Sequence, residues 1–179
     1  MIRRILIITG IVISVLIVLF YVLRTYTKSH SPATEAKIKF KDTEISVKYC
    51  QPAKKGREIF GKLVPYGKVW RTGANEATEI TFSTDVIINN DKELKAGTYT
   101  LFTIPDEKQW IIIFNGVLGQ WGHFTYDESK DVARTQAKVE AIENVKENLT
   151  IDLQAGTEEA NMLIMWDKTQ VKVSIKPKK

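Results

Sequence analysis

Cysteine and histidine are both scarce in this sequence of 179 residues. The single cysteine, Cys50, excludes an intrachain disulfide and any metal site built from several cysteines. We expect it to be a small buried apolar residue near a strand end. Of the two histidines, His30 falls in a predicted tether, which leaves His123 as the only histidine of the folded body. A two-histidine metal centre is therefore excluded within the fold, and we predict no metal site.

Motifs that mark catalysis or phosphate binding are also missing. The sequence has no Gly-x-Ser-x-Gly elbow, no phosphate-binding glycine loop and no His-Glu-x-x-His pair. No repeat of fixed period is visible. We therefore predict no cofactor, and no motif assigns a reaction.

Acidic residues are absent from both ends of the chain. Residues 1–28 contain four basic residues, and residues 168–179 contain five lysines. The whole chain has a formal net charge of +5, but only 17 basic residues remain between these ends, against 21 acidic ones, so the body carries −4. Nucleic-acid binding requires basic residues clustered on a folded face, so we predict no nucleic-acid partner. The basic tail at 177–179 is expected to be a solvated end.

Residues 5–23, ILIITGIVISVLIVLFYVL, lack charge of either sign. At about 1.5 Å per residue this run spans roughly 28 Å, close to the thickness of the hydrocarbon core of a bilayer. A cleaved signal peptide has a shorter apolar region of about 7–15 residues, and no small-x-small cleavage pattern directly follows Leu23. We predict a membrane anchor at 1–28 with one transmembrane helix at 5–23; a cleaved signal is the alternative.

Positive charges flank this run on both sides. Arg3 and Arg4 precede it, and Arg24 and Lys28 follow it. The free amino terminus adds a third positive charge on the short side, which favours that side in the cytoplasm. We therefore predict a single-pass membrane protein whose globular domain lies outside the cytoplasm, on the periplasmic side.

After a polar tether predicted at 29–36, apolar and polar residues alternate as in β-strands. For residues 134–145 we favour a strand over a helix, because the neighbouring segments on both sides are predicted strands and no capping signal precedes them. Seven to nine short strands indicate an all-β antiparallel β-sandwich, or a barrel-like relative, over residues 37–176. The predicted strands are a hairpin turning at 41–43, then 78–83, 86–88, 98–104, 110–114, 149–153, 162–166 and 171–175.

The stretch VWRTGANEAT at 69–78 concentrates hydrogen-bonding side chains around one glycine turn, and two interpretations remain open. In the structural one, Thr72 and Asn75 bond their own backbone, Arg71 pairs with Glu76, and Trp70 is a core residue whose indole N–H finds a carbonyl. In the functional one, Trp70 is the aromatic wall of a binding cleft. Arg71 would then bind a carboxylate or phosphate, and Asn75 and Glu76 suit sugar hydroxyls.

A second cluster, LGQWGH at 118–123, places Trp121 between two glycines. An exposed Trp121 would be a platform for stacking a sugar or a base, whereas a buried one would close the end of the sandwich, and we expect burial. His123 as a general base would need a nucleophile within reach, which spacing alone does not show. We expect a structural histidine with satisfied hydrogen bonds.

The stretches YGKVWRTGANEAT at 66–78, AGTYTLFTIP at 96–105 and LGQWGHFTYD at 118–127 resemble a bacterial family of secreted or membrane-tethered proteins, a domain of unknown function. WIIIFN at 110–115 and MWDKTQVKVSI at 165–175 extend the resemblance over most of residues 50–176. It implies an extracytoplasmic β-rich domain and brings no catalytic residues. In that family the position after Gly122 is variable, which weakens a catalytic role for His123.

These observations favour a membrane-anchored β-sandwich with a binding or assembly role at the cell envelope. Its ligand would be a saccharide, a peptide or another envelope protein. The alternative is an envelope hydrolase in which Glu76 is the general acid or base and Arg71 stabilises developing negative charge. A third hypothesis is a purely structural tethered domain that associates only with itself.

Overall fold

A computed structural model describes residues 2–178 of the chain. Met1 of the predicted anchor and Lys179 of the predicted basic tail lie outside the described residues. One long helix, α1 (Ile2–His30), precedes nine strands, and a short 3-10 turn at Glu128–Lys130 lies before the eighth. The strands are β1 (Ala33–Phe40), β2 (Thr43–Cys50), β3 (Thr78–Phe82), β4 (Val86–Ile88), β5 (Lys92–Leu94), β6 (Gly97–Ile104), β7 (Gln109–Asn115), β8 (Asp131–Ala155) and β9 (Ala160–Pro177).

Helix α1 contains the predicted transmembrane run and continues beyond it. By length and composition it can cross a membrane, and none of its described side chains is buried. The polar residues after the run remain helical, since hydroxyls such as that of Thr25 donate to the carbonyl one turn earlier, here Tyr21 O at 2.9 Å. The predicted tether at 29–36 is therefore much shorter in the structure. Only Ser31 and Pro32 separate α1 from β1.

The strands form one antiparallel ladder in the order β1-β2-β3-β6-β7-β8-β9-β4-β5. The hairpin between β1 and β2 turns at Lys41 and Asp42, where Lys41 adopts a positive φ of 53°. Residues 134–145 lie within β8, which confirms the choice of strand over helix. The order and the antiparallel pairing confirm the predicted all-β class.

The sheet folds over on itself at the long strand β8, so that its two parts cover a common core. The first part of β8, up to Lys138, pairs with β7, and from Val139 onward it pairs with β9, with two irregularities of register between Ala141 and Thr150. The later part faces β2, because the backbone N–H of Ile151 donates to the Tyr49 hydroxyl at 3.0 Å. Side chains of β2, β3, β6, β7, β8 and β9 therefore enclose one hydrophobic core, as expected for a sandwich.

Aromatic rings fill the end of this core that lies beneath residues 69–78. The rings of Trp70 and Trp166 stack with centroids 6.0 Å apart, Trp110 lies edge-on to Trp70, and Phe60 contacts all three. The opposite face of β6 and β7 carries a smaller cluster around Phe102, which is covered in part by the ring of Tyr126. The bend at 69–78 and the loop at 118–127 are thus held against the sheet by aromatic side chains.

Candidate functional site

The bend at 69–78 is fixed to strand β6. The backbone of Trp70 pairs with that of Thr103 in both directions, at 2.7 and 2.9 Å. The Thr72 hydroxyl donates to the Thr103 hydroxyl at 3.1 Å, and the Thr78 hydroxyl donates to the Thr72 carbonyl at 2.8 Å. Thr72 and Asn75 both adopt the left-handed backbone region, with φ of 54° and 57°. The conformation of the bend is therefore determined by its own polar groups, in line with the structural interpretation.

Trp70 is a core residue, as the structural interpretation predicts. It is buried, and its indole N–H donates to the carbonyl of Gly73 at 3.1 Å. One edge of the ring also lines a cavity described below. Trp70 thus supports the bend from beneath and forms part of a wall at the same time.

The predicted pair between Arg71 and Glu76 does not form. Glu76 instead accepts from Lys28 Nζ at 2.7 Å and from Arg24 Nη2 at 3.1 Å, both on α1. Burial raises the pKa of Glu76, but the hydrogen bond from Lys28, the backbone N–H of Glu76 itself and the hydrogen bond from Arg24 outweigh it and lower the pKa to about 2. The carboxylate is therefore ionised at neutral pH and joins helix α1 to the domain.

Asn75 also binds Ser31, the residue that directly follows α1. It is buried, and its side-chain amide donates to the carbonyl of Ser31 at 3.3 Å, and not to its own backbone as predicted. Its backbone carbonyl accepts from the N–H of Gly122 at 3.0 Å. Asn75 thereby ties three segments together, and its amide is already engaged by the protein.

Arg71 is the one polar side chain of the bend that lacks a partner within residues 2–178. Its Nε is buried and makes no hydrogen bond, and its guanidinium forms no ion pair with a carboxylate of that part of the chain. Burial lowers the pKa of the guanidinium, and the nearby Cys50 opposes this. An arginine remains protonated at neutral pH even so, so an unpaired positive charge lies here.

Arg71 lines a cavity of about 560 Å³ between the bend, residues 52–68 and the end of α1. The wall contains three further basic residues and two histidines, and none of the described residues that line it is acidic. The apolar part of the wall includes Trp70 and Trp166. The polar and charged lining residues are His30, Ser31, Lys55, Arg57, Lys68, Arg71 and His123.

The charges of this wall are partly engaged. The Arg57 guanidinium donates to the carbonyls of Lys54 and Ala53, which uses its donors but leaves its charge. The carboxylate of Glu147, which does not line the cavity, accepts the backbone N–H of Lys55 at 2.7 Å. The side chains of Lys55 and Lys68 form no ion pair within the described chain. The cavity is therefore positively charged on balance.

Cys50 is buried, as predicted, and its thiol contacts Glu76. The Sγ donates to Glu76 Oε2 at 3.6 Å. Burial raises the pKa of the thiol, and the negative charge of Glu76 raises it further. A protonated thiol is a weak nucleophile, so Cys50 is suited to packing and not to covalent chemistry.

The expectation that Trp121 is buried is wrong. Its main chain forms an antiparallel bridge with Glu76, and its side chain is 43% exposed. The indole lies against α1, with the Arg24 guanidinium 5.6 Å from the ring centroid, a distance typical of a cation–π contact. Two flanking glycines with positive φ, Gly119 and Gly122, let the loop present this ring outward.

His123 is likewise exposed, so the expected structural histidine with satisfied hydrogen bonds is also wrong. Its ring stacks on that of Phe124 with centroids 4.9 Å apart, and it makes no side-chain hydrogen bond within residues 2–178. It lines the rim of the cavity beside Arg71. Of the six predicted site residues, Trp70, Arg71 and His123 share the cavity, whereas Glu76 and Trp121 face α1.

A polar network that the sequence analysis missed fixes the end of the Trp121 loop. The Tyr126 hydroxyl donates to Asp131 Oδ2 at 2.7 Å and accepts from Arg134 Nη2 at 2.6 Å, while Arg134 Nε donates to Asp131 at 2.6 Å. Burial, followed by the hydrogen bond to Asp131, raises the pKa of Tyr126 to about 12. Tyr126 also packs on Phe102, so the loop is fastened to the sheet by both polar and apolar contacts.

Three cavity residues and two helix residues were also missed, and no local signal marks them. Lys55, Arg57 and Lys68 occur in a stretch that lacks strand alternation, and only the fold brings them beside Arg71. Arg24 and Lys28 precede Glu76 by 52 and 48 residues, respectively. A pairing over such a distance has no periodic signature in one sequence.

Comparison with known proteins identifies one family. A model described as "Protein of unknown function (DUF2911)" matches residues 31–175. No curated protein and no solved structure shows a significant match to the chain.

Proposed function

The chain belongs to the DUF2911 family of proteins of unknown function, and from the geometry of its site we propose that it is a membrane-anchored binding protein of the cell envelope. Its β-sandwich binds a small anionic ligand in the cavity beside Arg71. Helix α1 holds the domain on the periplasmic face of the membrane. The ligand is a carboxylate or a phosphate on a compact body, such as an acidic saccharide or the carboxyl end of a peptide.

The observation that carries this proposal is the unpaired Arg71. A buried polar group without a partner costs about 1–3 kcal/mol, and more when it is charged. Such a cost is typical of binding sites, where a ligand supplies the missing acceptor. The planar guanidinium can hold a carboxylate or a phosphate through two parallel hydrogen bonds, which is why arginine is common in sites for these groups.

The remainder of the wall supports the same class of ligand. A cavity of about 560 Å³ falls within the range of roughly 300–1,000 Å³ typical of small-molecule sites. Lys55 and Lys68 add positive charge, and Trp70, Leu63 and Pro65 add apolar surface. This combination suits an anionic group attached to a ring or a short apolar segment, and it disfavours a cation.

The membrane attachment rests on α1 and on the charges around it. Its apolar run is long enough to cross a bilayer, and basic residues flank the run on both sides, Arg3 and Arg4 before it and Arg24 and Lys28 after it. Carbonate extraction of membranes that contain the full chain tests integration, and the intact mass of the extracted chain tests cleavage. A chain released by carbonate, or one that lacks its first residues, would overturn the anchor.

Ligand binding is tested by thermal unfolding of the full chain in detergent, with and without potassium phosphate, sodium glucuronate or an N-acetylated dipeptide carboxylate, at matched ionic strength. A ligand that binds only the folded state raises the unfolding midpoint progressively as its free concentration exceeds its Kd. We expect at least one of these anions to raise the midpoint of the native chain and to have no such effect on Arg71→Gln.

The matched control is Lys39→Gln, which removes one positive charge from an exposed position of β1, away from the cavity. This variant should respond to the anions as the native chain does. If no anion raises the midpoint, or if Arg71→Gln responds as strongly as Lys39→Gln, the proposed site is wrong.

The hydrolase alternative gains no support from the geometry. A general acid needs a proton to donate near neutral pH, which requires a raised pKa. The pKa of Glu76 is instead lowered to about 2, and its Oε1 accepts from both Lys28 and Arg24. Arg71 does not lie beside Glu76 to stabilise charge formed there. We therefore propose that the protein binds a ligand and that Glu76 and Arg71 do not act as a catalytic pair.

A further inference from the structure

One loop of the domain gathers exposed apolar side chains. Within residues 117–124, here called the apolar loop, the exposed fractions are 39% for Val117, 48% for Leu118, 43% for Trp121 and 78% for Phe124. Elsewhere in residues 31–178, exposed large hydrophobic residues are scattered: Leu63, Tyr66, Val132 and Val145. Scattered residues of this kind are normal, whereas a contiguous group marks an interaction surface.

The position of the apolar loop relative to α1 indicates what that surface contacts. Trp121 and Gly119 line a groove of about 490 Å³ together with Phe20, Leu23 and Arg24 of the helix. Phe20 and Leu23 belong to the last turn of the uncharged run at 5–23. Because that run ends where a bilayer's hydrocarbon core would end, the apolar loop lies at the level of the membrane boundary.

We propose that the apolar loop inserts into the interfacial region of the bilayer that α1 crosses, as a second point of membrane contact. This inference rests on the proposed membrane anchor. Tryptophan favours the interface because its ring is apolar and its N–H can be hydrated, and Phe124 and Leu118 supply further apolar surface. Arg24 and Lys28 lie at the same level; both contact Glu76 but keep 43% and 42% of their side chains exposed, so their charge also faces anionic headgroups.

The chemistry of the loop suits lipid better than a protein partner in solution. The sequence VLGQWGHF contains no acidic residue, so it carries no charge that would repel an anionic headgroup. Its backbone is held from inside, since Glu79 accepts the N–H of Gly119 at 2.9 Å and Gln120 donates to the carbonyl of Val117 at 2.9 Å. These contacts fix the backbone of the loop, while Leu118, Trp121 and Phe124 remain exposed next to the apolar run of α1.

The test uses the intrinsic fluorescence of the full chain reconstituted in phosphatidylcholine–phosphatidylglycerol vesicles. Trp70, Trp110 and Trp166 are buried, so the difference between the native chain and Trp121→Phe reports Trp121. We expect lipids brominated near the top of the acyl chain to quench at least half of this difference signal. Acrylamide in the aqueous phase should quench the Trp121 signal much less in the vesicles than in the chain dissolved in urea without detergent.

A paired variant and a control separate insertion from simple proximity. In Leu118→Ser/Phe124→Ser, quenching of Trp121 by brominated lipid should fall at least twofold. In Val132→Ser/Val145→Ser, which changes two exposed apolar residues outside the loop, quenching should be unchanged. A Trp121 signal that brominated lipid leaves intact and acrylamide quenches would overturn the proposal, as would equal quenching in both paired variants.

Carbonate extraction of the same vesicles distinguishes the two levels of inference. A chain that resists extraction while Trp121 remains unquenched by lipid retains the anchor and refutes the loop insertion alone. A chain that carbonate releases overturns the anchor, and the loop insertion with it.

Discussion

Replacement of Glu76 by glutamine tests whether this carboxylate connects helix α1 to the domain. The substitution keeps the size of the side chain and removes the charge that Lys28 and Arg24 contact at 2.7 and 3.1 Å. The domain loses its contacts with α1 when it unfolds, so the interaction between them contributes to the free energy of unfolding measured in detergent. We expect Glu76→Gln to lower that free energy and the unfolding midpoint.

The magnitude follows from the pKa and from exposure. A pKa of about 2 against an ordinary 4.5 corresponds to an upper bound of about 3.5 kcal/mol, at about 1.4 kcal/mol per pKa unit. The side chains are 34% exposed for Glu76, 43% for Arg24 and 42% for Lys28, and solvent screens such pairs strongly. We therefore expect a loss of about 1 kcal/mol, which lowers the midpoint by roughly 2–4 °C in a chain of this size.

The pH dependence of the same variant supplies a second measurement. Because the folded pKa of Glu76 lies below its ordinary value, the ionised form stabilises the fold above pH 4.5. This contribution is lost as the pH falls towards about 2. The difference in midpoint between the native chain and Glu76→Gln should be constant from pH 6 to 7 and should shrink as the pH falls through roughly 4.5 to 2.

Two controls make the result interpretable. Glu143→Gln removes an exposed carboxylate that forms no ion pair within residues 2–178, and it should leave the midpoint unchanged. In a background where Arg24 and Lys28 are both methionine, Glu76→Gln should have little further effect, because neither cation remains to contact it. An equal loss in the two backgrounds would refute the assignment of Glu76 as the helix contact.

Two further outcomes follow from buried polar groups. Tyr126→Phe removes a hydroxyl that contacts Asp131 and Arg134 and should lower the free energy of unfolding, measured in urea, by about 1–3 kcal/mol. The control is Tyr66→Phe, whose hydroxyl makes no hydrogen bond within the described chain, and it should cost under about 0.5 kcal/mol. Similar losses for both variants would contradict the role of the network. The Cys50 thiol is buried and its pKa is raised, so alkylation by iodoacetamide at pH 7.5 should be at least tenfold slower in the folded chain than in urea; equal rates would show that the thiol is accessible.

The sequence was sufficient for the elements whose signal is local. Strands such as β6 and β7 alternate or run as β-branched and aromatic residues between turn signals, and both were predicted to within about one or two residues. The choice of strand for 134–145 succeeded because its neighbours along the chain were strands. The predicted tether is too long. The polar residues after the apolar run favour a linker by composition, whereas their hydroxyls in fact bond within α1.

The site was harder to predict, since its contacts join distant segments. Arg71 and Glu76 are five residues apart, and a pair between them was the natural local hypothesis. The fold instead directs Glu76 to Lys28 and leaves Arg71 beside a cavity. For Trp121 the flanking glycines indicated a tight loop, but they do not encode which side of the backbone the ring occupies. That direction is set by the bridge to Glu76.

The two-residue connection at Ser31 and Pro32 makes the domain follow the rotation of the helix. Because α1 continues to His30 and β1 starts at Ala33, the connection is too short for the helix to rotate about its axis independently of the domain. The contacts at Glu76 and Asn75 reinforce this coupling. Each residue of an α-helix advances the azimuth by about 100°. A single insertion near the end of α1 would thus rotate the domain by about 100° around the helix axis, so the length of the helix sets the direction in which the cavity opens relative to the apolar run.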